Sequence, residues 1–351
     1  MCGGSPAVMV ACGEEYTLAL TRAGHVWSCG CCHYGKTGQA DPVSMDVLLQ
    51  VPGVERIAMV AAGDHFSLAV ASDGRLWSWG DSSLCPQKND VPADVLPNRT
   101  PFVPRALEVS VFGGSRVLFV TAVNLTAAAA SAAGELWAWG HDERGSLGLG
   151  ENTHAHPESR APRRVGAFAG AAVLMAACGR KHMVVLTESG VVWTCGDGSL
   201  VALDHGDQRT CLVPTRIPQD RFRGGRVVCV AAGRVSSMAV TAEGVLYSWG
   251  SGALGHGHPN LQALVLVPTA VAATLPPGAR VARTSAVPRG HILTFCMGAL
   301  ARLGGDGCAH ASASDDVLGR IAAAGRGVSG AYAHMGEGLL RLLAVRLRAA
   351  A

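Results

Sequence analysis

A hairpin pattern that recurs along the chain constrains the fold more than any other feature of the sequence. Its clearest copy is AAGDHFSLAVASDGRLWSWG at residues 61–80. Apolar and small residues alternate along both arms with the period of two that is typical of β-strands. Asp73 and Gly74 lie between the arms, and this dipeptide is typical of a tight hairpin turn. The segment therefore predicts two antiparallel strands joined by a short turn.

The same hairpin occurs six times with one internal spacing. We number the first residue of the shared spacing, which is usually glycine, as position 0. The hairpin glycine is then at position 11 and the closing glycine at position 17. Position 14 holds a large residue, most often tryptophan. Self-similarity with a period of 50 to 60 residues indicates a repeat architecture. The six copies are Gly13, Gly24, Trp27 and Gly30; Gly63, Gly74, Trp77 and Gly80; Val123, Gly134, Trp137 and Gly140; Gly179, Gly190, Trp193 and Gly196; Gly233, Gly244, Tyr247 and Gly250; and the eroded Val287, Gly298, Ala301 and Gly304.

All seven tryptophans fall on this spacing, at position 14 or at position 16. Side chains two residues apart lie on the same face of a strand, where aromatic rings can form a large buried surface. We therefore interpret the tryptophans as core residues and not as a cofactor site. They are Trp27, Trp77, Trp137 and Trp193 at position 14 and Trp79, Trp139 and Trp249 at position 16.

Several of the twelve cysteines also occupy repeat positions. Cys29 and Cys195 replace the tryptophan of position 16, and a free cysteine packs as a small apolar residue. The segment 29–33 contains three cysteines and a histidine but lacks the paired C-x₂-C spacing of zinc sites. The sequence therefore predicts no metal and no other cofactor.

The segments between hairpins complete the repeat. They contain a Gly-rich loop, a polar stretch and a short apolar run with proline, as in Leu212–Ile217, where proline suggests the first residue of an edge strand. With the strand before position 0, each repeat holds about four short strands, which is the content of one propeller blade. We predict an all-β fold, a β-propeller with seven four-stranded blades that forms one domain over residues 1–351. The repeats lie near 8–50, 56–110, 116–168, 172–222, 226–276 and 280–315, with a degenerate seventh at 318–351, whose residues 339–348 can be its last strands or an amphipathic helix.

Composition and charge argue against two classes of function. A net charge of +3 with 16% charged residues and no long basic stripe disfavours nucleic acid as the partner. No apolar run reaches the ~18 residues of a membrane helix. The first residues lack the basic segment of a signal peptide. We expect an intracellular protein, cytoplasmic or nuclear, that is monomeric and not bound to a membrane.

The repeat resembles that of the regulator of chromosome condensation family. The shared pattern is small-Gly-x-x-His/aromatic-Ser/Thr-Leu-Ala-Leu, then Gly-x-Val/Leu-Trp-Ser-Trp-Gly, then Gly-x-Leu-Gly-x-Gly. Members of this family are seven-bladed β-propellers, and the founding member is a guanine-nucleotide exchange factor for the GTPase Ran. The resemblance thus implies the same fold. The family's histidine at position 3 is present only as His182, whereas other residues, Tyr16, Phe66, Thr126 and Ser236, replace it elsewhere.

The sequence contains no recognisable catalytic constellation. It has no P-loop, no G-x-S-x-G elbow and no HExxH motif. We therefore predict a non-enzymatic protein-interaction propeller, a scaffold or adaptor whose partner is another protein. The resemblance implies two alternatives: an exchange factor that acts on a small Ran-like GTPase, and a chromatin-associated binding module, which the weak net charge disfavours.

The loops that follow the closing glycines are the predicted recognition sites, since rigid scaffolds usually carry binding residues on loops. The most polar loop contains Asp142, Glu143 and Arg144. Asp204, His205 and Asp207 extend the equivalent loop of the fourth repeat. These six residues are the binding candidates, and the alternative is that they are ordinary solvated loop residues.

Overall fold

The computed structural model describes residues 4–39, 45–82, 84–85, 102–109, 112, 114–150, 158–168, 170–199, 203–204, 208–252, 254–256, 264–271, 280–286 and 292–297. The chain divides into two compact units, residues 1–299 and 300–351, and every described residue belongs to the first. The predicted seventh repeat and the part of the sixth after residue 297 lie outside the described residues.

Four-stranded antiparallel sheets follow one another along the chain, and in each the strands pair in simple chain order. Five such sheets and one two-stranded sheet lie within the described residues. A series of four-stranded antiparallel sheets is the architecture of a β-propeller, so the predicted all-β fold and four-stranded blades are confirmed. The strands are, blade by blade, β1 Ala7–Cys12, β2 Tyr16–Thr21, β3 Val26–Gly30 and β4 Met45–Gln50; β5 Ile57–Ala62, β6 Phe66–Ala71, β7 Leu76–Asp81 and β8 Phe102–Val109; β9 Val117–Val123, β10 Thr126–Ser131, β11 Leu136–His141 and β12 Glu158–Arg164; β13 Val173–Cys178, β14 His182–Thr187, β15 Val192–Gly196 and β16 Cys211–Arg216; β17 Val227–Ala232, β18 Ser236–Thr241, β19 Leu246–Ser251 and β20 Leu264–Ala270; and β21 Arg280–Ala286 with β22 Ile292–Met297.

The hairpin of the second blade shows why this sequence folds as it does. β6 and β7 pair with Phe66 opposite Gly80, and a short turn joins them. Gly74 in this turn has a φ of 89°, a backbone conformation that other residues rarely adopt. A Cβ added to Gly74 would also lie 2.6 Å from the Cβ of Arg116 in the next blade. The hairpin glycine therefore serves the turn and the close approach of the following blade.

The tryptophans of the repeat pack between blades. Trp79, Trp139 and Trp249 at position 16 are 0% exposed. The tryptophans of position 14 are only partly buried. The side chains at position 16 are therefore more deeply buried than those at position 14. The sequence did not predict this difference, because both positions lie on the same face of the strand.

A phenylalanine from the connection between blades covers the residue at position 14. Phe112 lies edge-on to Trp137 with 5.6 Å between ring centroids, and Phe168 lies edge-on to Trp193 at 5.5 Å. Phe222 packs in the same way on Tyr247 at 5.4 Å. Each phenylalanine lies eleven residues before position 0 of the next repeat. This periodicity was visible in the sequence and was missed.

The strands of each blade have distinct places. First strands of consecutive blades, from β1 through β5, β9, β13 and β17 to β21, pack beside one another and form the inner edge of the array. Fourth strands form the outer edge.

The prolines lie inside these outer strands and not at their first residues as expected. Pro214, for example, lies in an irregular part of β16, between the pairs Thr194–Thr215 and Gly196–Cys211. Proline is tolerated there because such a residue donates no hydrogen bond to the sheet.

Candidate binding surface at the upper end of the blades

Two sets of loops share one end of the blades, because neighbouring strands run in opposite directions. The first set contains the turns between first and second strands, and the second contains the loops between third and fourth strands. We call this end the upper end. The predicted binding residues belong to the second set of loops.

The loops after the third strands are held by the following blade. The Trp79 indole Nε1 donates a hydrogen bond of 3.0 Å to the carbonyl oxygen of Lys36, and Trp139 Nε1 donates one of 3.2 Å to Leu84. In the fourth blade Cys195 occupies position 16, and its Sγ lies 3.9 Å from the carbonyl oxygen of Ser146. Burial raises the pKa of Cys195 well above its usual value, which keeps the group a thiol. Position 16 therefore anchors the loop of the preceding blade.

The first two blades share a buried chain of hydrogen bonds. The Tyr16 hydroxyl donates to the carbonyl oxygen of Phe66 at 2.6 Å and lies 2.8 Å from the Ser67 hydroxyl. Ser67 donates in turn to the carbonyl oxygen of Lys36 at 2.7 Å. The Lys36 ammonium donates to the carbonyl oxygen of Glu14 at 2.7 Å. This chain fixes the upper loop of the first blade against the second.

His182 has an equivalent place between the fourth and fifth blades. Its Nε2 lies 3.0 Å from the hydroxyl of Ser237. Burial lowers the pKa of His182 to about 4, so the imidazole is neutral at physiological pH. The histidine that the family repeat carries at position 3 thus joins two blades in this chain.

Turns between first and second strands contact the corresponding turn of a neighbouring blade, as between the second and third blades and between the fourth and fifth, and we call this row of turns the rim. A Cβ added to Gly63 would lie 3.0 Å from the carbonyl oxygen of Asn124, and one on Gly179 would lie 2.6 Å from that of Gly233. The Asp64 amide donates a hydrogen bond of 2.8 Å to the same Asn124 carbonyl. The residues that follow position 0 are therefore presented by turns that support each other.

Charge is divided along this rim. Position 1 holds Glu14 and Asp64 in the first two blades, and Arg180 and Arg234 in the fourth and fifth. The acidic side chains are half-buried and the arginines are exposed. Burial raises the pKa of Asp64, and nearby cations, Arg180 among them, oppose this rise. We call these four residues the charged rim. Sequence reasoning missed it, although comparison of position 1 across the repeats would have found it.

The structure separates the predicted residues of the third-blade loop. Asp142 is buried, and its Oδ1 accepts a hydrogen bond of 3.0 Å from the amide of Leu147, which organises the loop. Arg144 is exposed, and its Nε lies 3.6 Å from Asp197 Oδ2 in the next blade. Glu143 begins the short 3₁₀ helix Glu143–Gly145. Arg144 is thus exposed whereas Asp142 supports the loop, and a binding role for these residues stays a prediction.

Asp204 lies away from solvent in the fourth-blade loop. Its side chain is 0% exposed, and its Oδ1 lies 3.8 Å from Nε of Arg221. Burial raises the pKa of Asp204 to about 7, against the opposing effect of Arg221. The candidates His205 and Asp207 lie outside the described residues. A binding role for these residues stays a prediction.

Within the described part of the chain, no three His, Cys, Asp or Glu side chains are grouped so that they could hold a metal ion. Nor does any helix of that part have the length and apolar character needed to cross a membrane.

Comparison with known proteins identifies the repeat. A family profile described as the regulator of chromosome condensation (RCC1) repeat matches residues 133–186 and 189–240, and a second profile of that description matches residues 57–84. The ultraviolet-B receptor UVR8 of Arabidopsis thaliana is 29% identical across 70% of this chain and 54% of its own length. The E3 ubiquitin-protein ligase HERC2 of Mus musculus is 30% identical across 71% of this chain and 5% of its own length. The chain thus spans about half of the first relative and far less of the second.

Solved structures agree on the fold. Human WBSCR16 matches with a TM-score of 0.68 and 24% identity, over 83% of this chain and 72% of that protein. Prp20p from Saccharomyces cerevisiae matches with a TM-score of 0.53 and 19% identity, over 82% of this chain and 81% of that one. The repeated blades and their shared positions define a repeat β-propeller. The chain belongs to the RCC1-like repeat family.

Proposed function

We propose that this chain is a non-enzymatic protein-interaction propeller whose upper end binds another protein. The charged rim is the observation that carries this proposal. Each of its acidic and basic side chains stands on a turn that contacts the turn of a neighbouring blade, beside loops that the following blade anchors. A surface organised before binding loses little conformational entropy on association. Separated positive and negative areas favour a partner with the opposite arrangement of charge.

The proposed partner is a folded protein whose surface places acidic groups over Arg180 and Arg234 and basic groups over Glu14 and Asp64. Arg144 extends the basic side of this surface. We place the protein inside the cell, in the cytoplasm or the nucleus, as a monomer.

The test compares a rim variant with a matched control in the cells that express the protein. The double variant Arg180→Glu and Arg234→Glu reverses the basic half of the rim. The control, the double variant Arg163→Glu and Arg216→Glu, makes the same charge change on exposed residues of the outer strands β12 and β16. Proximity labelling should recover a partner set with the natural protein and with the control, and at least tenfold less of it with the rim variant. Equal recovery with all three proteins would refute the proposal.

A second candidate function is nucleotide exchange on a small Ran-like GTPase. The fold similarity to Prp20p, studied for its binding to Gsp1p and histones, supports testing it. Release of labelled GDP from Ran and related GTPases is the assay. A tenfold acceleration of GDP release corresponds to a barrier lower by about 1.4 kcal/mol. Such a result would favour nucleotide exchange over the protein-interaction function.

The mention of histones for Prp20p also supports a test of the third candidate, a chromatin-associated module. Co-sedimentation with nucleosomes at increasing salt measures it, because contacts to phosphates weaken steeply as salt rises. Binding that persists at physiological salt would favour this candidate.

A further inference from the structure

Each first strand of the described blades has a β-bulge at the same position, five residues before position 0. In the fourth blade Val173 pairs with Thr187 and Met175 with Leu186, so Leu174 is the extra residue. A bulge of this kind bends the strand and redirects the side chain of its extra residue. The extra residues are apolar in every case: Val8, Ala58, Leu118, Leu174, Val228 and Ala282.

Three of these bulges carry large apolar side chains into solvent. Leu118 is 59% exposed, Leu174 is 45% exposed and Val228 is 37% exposed. They belong to consecutive blades, and their strands pack beside one another at the inner edge. Single exposed apolar residues are ordinary, but an aligned group suggests an interaction site. We call Leu118, Leu174 and Val228 the inner apolar row.

Arginines lie next to this row, at the lower end of the blades. Arg116 and Arg226 each lie two residues before a bulged residue. Arg116 Nε donates to the carbonyl oxygen of Asp73 at 2.9 Å, and Arg226 Nη2 donates to that of Glu188 at 2.6 Å. These acceptors are neutral carbonyl groups of the preceding blade. The hydrogen bonds therefore fix the guanidinium groups and leave their positive charge in place.

We propose that the inner apolar row and its arginines bind a peptide segment of a partner protein that carries apolar side chains between acidic residues. The apolar side chains would cover Leu118, Leu174 and Val228. The flanking carboxylates would pair with Arg116 and Arg226, which can bind a carboxylate through two parallel hydrogen bonds. This surface lies at the end of the blades opposite the charged rim, so it does not depend on the function proposed above.

The test uses a fluorescein-labelled peptide with two leucines between pairs of glutamates, titrated with the full chain and followed by fluorescence anisotropy. A peptide with lysines in place of the glutamates is the matched probe. We expect the glutamate peptide to bind at least tenfold more tightly than the lysine peptide. Arg226→Gln should weaken its binding several-fold and reduce the salt dependence.

Matched protein variants locate the site. Leu174→Asp should reduce affinity for the glutamate peptide at least tenfold, and Leu118→Ser should reduce it as well. Val213→Asp is the control, since Val213 is 48% exposed but lies on an outer strand. Thermal unfolding of each variant separates lost binding from lost folding. Absence of binding by the natural chain, equal affinity for both peptides, or an equal loss with Val213→Asp would each overturn the proposal.

Discussion

Replacement of the hairpin glycine Gly74 by alanine tests how closely consecutive blades approach. Alanine at a φ of 89° costs about 1 kcal/mol because its Cβ crowds the neighbouring backbone. The added Cβ would also lie 2.6 Å from the Cβ of Arg116 and 3.1 Å from its Cα. The strand of the next blade must then move, although its Val117 amide donates to the Gly74 carbonyl oxygen at 2.9 Å. Overpacking of this kind costs about 1 to 3 kcal/mol, so we expect a total of about 2 to 4 kcal/mol.

Gly53 provides the matched control. Its φ is also positive, at 75°, but a Cβ added there meets nothing within 4 Å. Gly53→Ala should therefore cost only the backbone part, about 1 kcal/mol. Urea unfolding followed by tryptophan fluorescence measures both variants, and the melting temperature should fall by about 2 °C for each kcal/mol lost.

A double-mutant cycle isolates the contact between blades. Arg116→Gly removes one of the two atoms that collide, so the combination with Gly74→Ala should cost less than the sum of the single changes. Equal costs for Gly74→Ala and Gly53→Ala, or strict additivity in the cycle, would refute the argument that this glycine is required by the neighbouring blade.

Four further outcomes are expected. Phe168→Ala should destabilise the fold by about 3 kcal/mol in urea unfolding, because the ring packs on Trp193, whereas Tyr16→Phe should cost about 1 kcal/mol through its lost hydrogen bond. The folded pKa of His182 is about 4, below its ordinary 6.5, so the unfolded state binds more protons and stability falls as pH drops from about 6.5 to 4. His182→Gln should reduce that slope, and an unchanged slope would contradict the assignment. The folded pKa of Asp204 is raised from 3.8 to about 7, so its contribution to stability is lost as pH rises through that range. Asp204→Asn should therefore gain stability relative to the natural protein near pH 8.

The candidate site was harder to predict than the fold. The sequence located polar loops correctly on the chain, but Asp142 and Asp204 proved to be buried. Polar character alone does not show whether a loop residue faces solvent or supports the loop itself. The charged rim depends on residues of different repeats, such as Asp64 of the second and Arg180 of the fourth. These two are 116 positions apart in the chain, and only the packing of the turns brings them onto one surface.

The sequence by itself determined the strands, the hairpin turns and the number of strands in each blade. Alternation of apolar residues, turn glycines and a shared spacing are local signals, because the hydrogen bonds of a meander join segments that are close in the chain. Tertiary structure alone decided what those positions do between blades. The indole of Trp79 anchors the loop of the preceding blade, and Gly74 makes room for the next one. The bulges that expose Leu118 and Leu174 also follow from strand pairing and inner-edge packing. Such contacts join different repeats, so no pattern within a single repeat specifies them.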